Sequence, residues 1–376
     1  MRAELSRRTV ISGAAATGAL LGFPRIANAA GPLRITILGQ ALIRHDLRRQ
    51  PWPAFDAFAQ MFAQSHMCFS DLEVAIRGPL SGAPTRDGIT LHTADPEVLD
   101  CLKALGISFL ATSNNHAYDL GTGGILEAID QLRSRGLAYA GSGVNIGAAS
   151  GAGYQRTNQG TVAVVSVATG AVRDGGAAAP DRAGVAEIRR DASGALERQD
   201  VARTLAAIRQ ARTNADIVIA YQHNHYWEPN PEDTPGWQRE FARECIDAGA
   251  GIFVGHGPPL LHGVEMYRGS PLLYGLGSFI FQTKKPEASY GVPNWQSLVV
   301  ECQFVGGKFV EARLKPVQLA SGGIGGVADL ETRGRPSVAQ GPDARRILDD
   351  MHRLSSRLGH RLSHDGQTAL LRGIAT

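Results

Sequence analysis

Short apolar runs alternate with amphipathic stretches from the first third of the chain to Pro316. Residues 33–39, 67–72, 107–111, 161–168, 217–221 and 251–254 are brief runs of Ile, Val, Leu, Phe and Ala, and they read as strands. Residues 55–62, 96–105, 121–135, 196–212 and 237–248 carry apolar positions at helical spacing. Asp95-Pro96 suits a helix start and Gly136 a helix end. Residues 272–276 and 298–304 read as further strands, with 309–316 as the second arm of a hairpin. Strand and helix alternate through most of the length, which predicts a mixed α/β fold with helices outside the sheets. Residues 78–88 read as a Gly- and Pro-rich flap, and 170–186 as a long loop. The Gly-rich stretch 141–153 lacks the strand, G-x-G-x-x-G, helix order of a nucleotide fingerprint. Past Pro316 the pattern weakens. Residues 321–326 and 334–342 read as linker, 343–358 as a terminal helix, and the last residues as peripheral.

The chain has 376 residues, enough for one large α/β domain or two unequal ones. Its net charge is only +3 and its Lys and Arg are scattered, so nucleic acid is not an expected partner. The first thirty residues change the picture most. A basic end at residues 1–8, a small-residue apolar stretch at 10–23 and Ala27-Asn28-Ala29 form an export signal with a cleavage site. Ser6-Arg7-Arg8 resembles the twin-arginine signal, which implies passage through the twin-arginine translocase as a folded protein to the periplasm or cell surface. The expected division is therefore a signal over 1–30, a main domain over 31–320, and a linker with helical extension over 321–376. Cys68, Cys101, Cys245 and Cys302 form no C-x-x-C pair. They read as buried thiols, although an exported protein could use one disulfide.

Chemistry concentrates where the apolar runs end. Asp71 and Glu73 lie two apart and share a face of an extended segment. Two such carboxylates repel unless a cation lies between them or water solvates them. Asn114, Asn115, His116 and Asp119 follow the third run. An amide oxygen is a neutral ligand for a hard cation. The imidazole beside it can bind metal or deliver a proton, and Asp119 can orient that imidazole or cap a turn. His223 and His225 follow the 217–221 run and share a face if it stays extended. Either could bind metal or contact substrate. His256 lies between two glycines at the end of the 251–254 run, ahead of Pro258-Pro259. His45, Asp46 and His262 are softer candidates. Lys284, Lys285 and Arg86 could meet an anionic substrate, though long cationic side chains ordinarily sit solvated. The mix of O and N donors favours manganese, iron or zinc over calcium.

These residues resemble those of the CapA family of capsule and poly-γ-glutamate synthesis proteins, itself similar in fold to the calcineurin-like metallophosphoesterases. The resemblance runs from about Ile35 to Phe281. Its most specific part is the N-N-H-A-x-D-x-G segment, met by Asn114, Asn115, His116, Ala117, Asp119 and Gly121. The family's Asn-x-Glu is Asp71-Leu72-Glu73 here. Its later motifs meet His223 (or His225), Gly255-His256-Gly257-Pro258-Pro259, Glu265, and Tyr274 through Phe279. The resemblance implies a four-layer α/β/β/α metallophosphoesterase-like sandwich. It implies metal ligands among Asp71, Glu73, Asn115, His223 and His256, with His116, Asp119 and His225 in catalytic roles. Three departures stand out. Gln40 replaces an expected aspartate, Pro259 a histidine and Ser278 an asparagine. The first two fall on one metal position of a two-metal layout, so one firm metal site and a weak or absent second are expected.

The expected function is an exported, metal-dependent hydrolase-like protein acting on an anionic cell-surface polymer, a phosphoester or a peptide by metal-activated water. Two alternatives remain. One is a non-catalytic accessory or binding protein for polymer synthesis or export. The other is epimerase-like proton transfer between histidines.

Overall fold

The computed structural model describes residues 31–373. The twin-arginine-type segment over 1–30 lies outside the described residues. Among them, a nine-stranded and a six-stranded sheet dominate. In the larger sheet Leu33–Leu38, Met67–Asp71, Phe109–Ala111 and Ala138–Ala140 run parallel in that order. The hairpin Gln296–Val305 and Lys308–Leu319 extends it antiparallel on the Leu33–Leu38 side. The smaller sheet is built on parallel Gly160–Thr169, Ile217–Asn224, Ile252–His256 and Ser270–Leu273. Short antiparallel strands, Gly153–Thr157 and Val264–Tyr267, close its two edges.

The continuous apolar runs have a simple cause: these strands are buried on both faces. Ile35, Ile37, Phe69 and Phe109 from one sheet and Val164, Ile219, Tyr221 and Val254 from the other share one core cluster. The alternate residues face away. Leu38, Cys68 and Leu110 pack with Phe58 and Phe62 of helix Phe55–Phe62 and with Val98, Leu99 and Leu102 of helix Glu97–Ala104. Val165, Val218 and Phe253 pack with Ile208 of helix Arg198–Asn214 and with Phe241 and Cys245 of helix Gly236–Asp247. Pleating sends successive side chains to opposite faces, so each strand serves two clusters.

The last described elements are not peripheral. Helix Gly341–Arg357 places Ala344, Ile347, Leu348, Met351 and Leu354 in the cluster between the sheets. Strand Ala369–Arg372 then pairs with Lys308–Leu319 and buries Ala369 and Leu371. The helical spacing of those five residues is the reason: a stripe that wide must be covered. All four cysteines are free and buried. Burial pushes each thiol up, that of Cys101 to about 12, so they act as apolar core residues.

Parallel strands in both sheets end on the same side. This puts the residues after Leu38, Asp71, Ala111, Asn224 and His256 together, the position where open α/β sheets hold their ligands.

Candidate metal centre and cleft

Two strand ends are turned by the same device. After Phe109–Ala111 the Asn114 side-chain oxygen accepts the His116 backbone N–H at 3.0 Å. After Ile217–Asn224 the Asn224 oxygen accepts the Tyr226 N–H at 2.8 Å. Such Asx turns break the strand while keeping its last side chains aimed along the sheet edge. Asn114 also ties two loops together, donating its amide to Asp71 Oδ1 at 3.0 Å and to the Leu72 carbonyl at 2.8 Å. His223 and His256 sit side by side in register on neighbouring strands. Gly257 has φ of 140°, and a Cβ there would lie 1.9 Å from the Asn224 carbonyl, so only glycine lets this loop pass.

At the centre of the site is His223, fully buried. Its Nδ1 is 2.9 Å from Asp71 Oδ2, which fixes the ring and makes Nδ1 the donor. Its Nε2 then carries a lone pair. That lone pair faces Asn115 Oδ1 at 2.9 Å and His225 Nε2 at 3.1 Å, with Glu73 Oε1 at 3.9 Å. A cation among these atoms would satisfy all of the contacts at once. Glu73 Oε2 is buried without a hydrogen-bond partner. Ligand atoms of Glu73, His223 and His225 lie within 4.8 Å of one another, as do those of Glu73, His92 and His116. Burial, then the charges of Asp71 and Asp119, pushes the Glu73 carboxyl well above its ordinary range. Burial, then His223, pushes the His225 imidazole well below its ordinary value. A buried acid and imidazole nitrogens converging on one point form a cluster able to hold a divalent metal ion.

Beside this cradle stands His116. Its Nδ1 is 2.8 Å from Asp119 Oδ2, so Asp119 orients the imidazole and does not cap helix Gly121–Ser134. Burial, then Arg86 and His223, pushes the His116 pKa well below its ordinary value. Burial pushes the Asp119 carboxyl up, and the His92 N–H and Arg86 offset part of that rise. Arg86 is docked against the site: its Nε donates to Asp119 Oδ1 at 2.7 Å and one Nη to the Asn115 carbonyl at 2.6 Å. The 78–88 segment is therefore fastened to the site.

The remaining sequence candidates are engaged by partners of their own. Asp71 spends both oxygens on Asn114 and His223. His256 holds the Tyr221 hydroxyl at 3.1 Å through Nδ1, and its Nε2 has no partner. Burial holds that imidazole down at about 3. Among the described residues, His256 is not in either group of mutually close donors. Asp46 pairs with Arg48, and Glu265 with Arg239 and Arg243, as structural ion pairs. His262 braces the Pro231 carbonyl at 2.8 Å. Two participants carried no sequence signal. His92 stacks on His116 with ring centroids 3.7 Å apart, and Tyr221 reaches in from the middle of an apolar strand. His92 follows no apolar run, and Tyr221 reads as core.

The three departures meet on the other flank. Gln40 Nε2 donates to the Gly257 carbonyl at 3.2 Å and to Ser278 Oγ at 3.3 Å, and its Oε1 accepts the Gly257 N–H at 3.2 Å. Pro259 lines the cavity beside it. That cavity, about 530 Å³, opens over Glu73, Asn115, His116 and His225, with Arg86 and Lys285 also in its lining.

Fold and donor set define an α/β protein with several sheets and a buried cluster fit for a divalent cation, as in a metallophosphoesterase-like sandwich. A family model, that of the bacterial capsule synthesis protein PGA_cap, matches residues 34–283, and the chain belongs to this CapA family. An uncharacterized protein of Sinorhizobium fredii, y4sH, is 26% identical over 464 aligned positions, covering 98% of this chain and 97% of that one. The PGA biosynthesis protein CapA of Bacillus subtilis is 31% identical over 187 residues, 49% of this chain and 45% of that protein. The capsule biosynthesis protein CapA of Bacillus anthracis is 29% identical over 194 residues, 50% of this chain and 44% of that protein. The chain thus spans less than half the length of these two CapA proteins.

Proposed function

We propose that this protein is an exported metal-dependent hydrolase of the CapA family, with one divalent cation held by Glu73, Asn115, His223 and His225. Its substrate is an anionic cell-surface polymer, a phosphoester or a peptide, and its place is the periplasm or cell surface. On this reading the two sheets and their outer helices form the four layers of an α/β/β/α sandwich. The observation that carries the proposal is the convergence of Asn115 Oδ1 and His225 Nε2 on His223 Nε2, at 2.9 and 3.1 Å. Asp71 holds the His223 ring from behind. Manganese, iron and zinc suit this N/O set.

The chain's own residues divide the chemistry. Such a cation would supply Lewis acidity and a water able to attack near neutral pH. His116 is held at Nδ1 by Asp119, and once its Nε2 has taken up a proton from the attacking water it would pass that proton to a leaving group or steady a growing negative charge. Lys285 and the guanidinium of Arg86 attract the anion to the cleft.

A phosphodiester or γ-linked peptide assay on the purified protein tests the proposal. Turnover that a chelator abolishes and manganese restores supports it. Tight polymer binding without turnover favours the accessory reading instead, which the neutral Gln40–Gly257 clasp and Pro259 support.

A further inference from the structure

We propose that the cleft takes a substrate whose anionic group is joined to a ring, and that Trp227 is the platform on which the ring lies. The proposal rests on the metal-centre reading and adds the chemical group next to the anion.

The indole is fixed before any substrate arrives. Its Nε1 donates to the Asn224 carbonyl at 2.8 Å, and Asn224 is itself held by Thr169 Oγ1 at 3.0 Å. The ring rests against His225, with centroids 4.9 Å apart and planes 33° off parallel. His225 is one of the donors of the metal cradle, so the platform begins one ring away from the cation. Yet Trp227 is 46% exposed, at the lining of the 530 Å³ cavity. A large aromatic side chain held rigid and left open presents a π-face at little ordering cost.

The neighbouring lining suits the same group. Pro231, Pro258, Pro259 and Leu260 offer carbon surface. His262 stiffens the Pro231 segment, and Asn294 donates to the Pro259 carbonyl at 3.3 Å. An anion lodged against Lys285 and the cradle would leave its attached group between indole and prolines. A straight-chain carboxylate would use the cations and leave the indole idle. An aromatic ring or the C–H face of a sugar would cover it, and these two share the chemistry inferred here.

Calorimetric titration of the full, manganese-loaded protein with methyl phosphate, phenyl phosphate and a hexose phosphate tests the platform. A ring-bearing phosphate is expected to bind about fivefold tighter than methyl phosphate. In Trp227→Ala that preference disappears, and in Trp227→Phe a reduced preference persists. A phenyl preference identifies an aromatic group, and a hexose preference a sugar. Equal affinities for all three, or a ring preference that survives Trp227→Ala, overturns the platform. The metal reading fails differently: all three phosphates would then bind chelator-treated protein as well as loaded protein, with the ring preference intact. No binding by any phosphate overturns the platform, while the metal content of the same protein decides the cation.

Discussion

The two flanks of the cleft solve opposite problems. On one, Glu73, Asn115, His223 and His225 bring ligand atoms together and leave Glu73 Oε2 buried without a hydrogen-bond partner. On the other, Gln40 pairs with the Gly257 carbonyl and N–H and with Ser278 Oγ. Both flanks sit at the ends of parallel strands, and both are buried. The first gathers the ligand atoms of a carboxyl, an amide and two imidazoles. The second is a neutral clasp, with a proline beside it that has no side-chain donor. Within one cleft, then, the first flank has the donors to hold a divalent cation and the second is closed by neutral side chains.

The largest expected effect comes from breaking the first flank. Elemental analysis of the purified protein should find about one divalent ion per chain, and His223→Ala should lose it. Glu73→Gln should do the same by removing the only carboxylate of the set. Added manganese should raise the melting temperature of the native protein, by about 2.7 kcal/mol of stabilisation at a hundredfold excess over Kd. Neither variant should show that rise. Retention of stoichiometric metal by both would sink the assignment.

Rebuilding the neutral flank is the reverse operation. Gln40→Asp together with Pro259→His restores the donors that the family resemblance implies. The expected result is a second equivalent of bound metal, read by the same elemental analysis. A count that stays at one would mean that the flank differs in more than two side chains. A smaller effect is expected from the support beneath the first flank. Asp71→Asn keeps the shape but weakens the grip on His223 Nδ1. Metal affinity should fall about 10–100-fold, measured by competition with a chromophoric chelator. An unchanged affinity would show that Asp71 does not fix the imidazole.

Much of this contrast was legible before any coordinates. The apolar runs that end in Asn115, His223 and His256 identified the strand ends, because a doubly buried strand has little room for polarity until it leaves the sheet. Asp71 and Glu73 were placed by their spacing, but their separate jobs were not: the strand ends at Asp71, and pairing with His223 needs the other sheet. The positions of His92 and Arg86 come from a loop folded onto the site, which no periodicity encodes. The amphipathic period of 343–358 was visible. Its seat between the sheets was not, since the same stripe serves a helix on an outer face equally well. Strand Ala138–Ala140, three residues with two alanines, is too short and too small-sided to leave a pattern.

The smallest effect separates a carboxylate in a cradle from a carboxylate that is merely buried. Glu187 pairs through its backbone with Ala168 on the smaller sheet. Burial is the main cause that raises its carboxyl to about 7, and Asp200 and Asp174 add to it against Arg189. Among the described residues it belongs to no group of metal donors. Because its folded pKa lies above the ordinary 4.5, the folded state binds the proton more tightly than the unfolded chain. Its contribution is fully present below pH 4.5 and is lost as pH rises towards 7. Glu187→Gln removes that loss. The variant should match the native protein in acid and melt higher at alkaline pH, by on the order of 1 kcal/mol after solvent screening. Metal content should not change. Glu73→Gln, measured alongside, should lose the metal and melt lower in the presence of manganese at the same alkaline pH. If instead it stabilises the protein as Glu187→Gln does, Glu73 is only another buried acid and the contrast between the two flanks collapses.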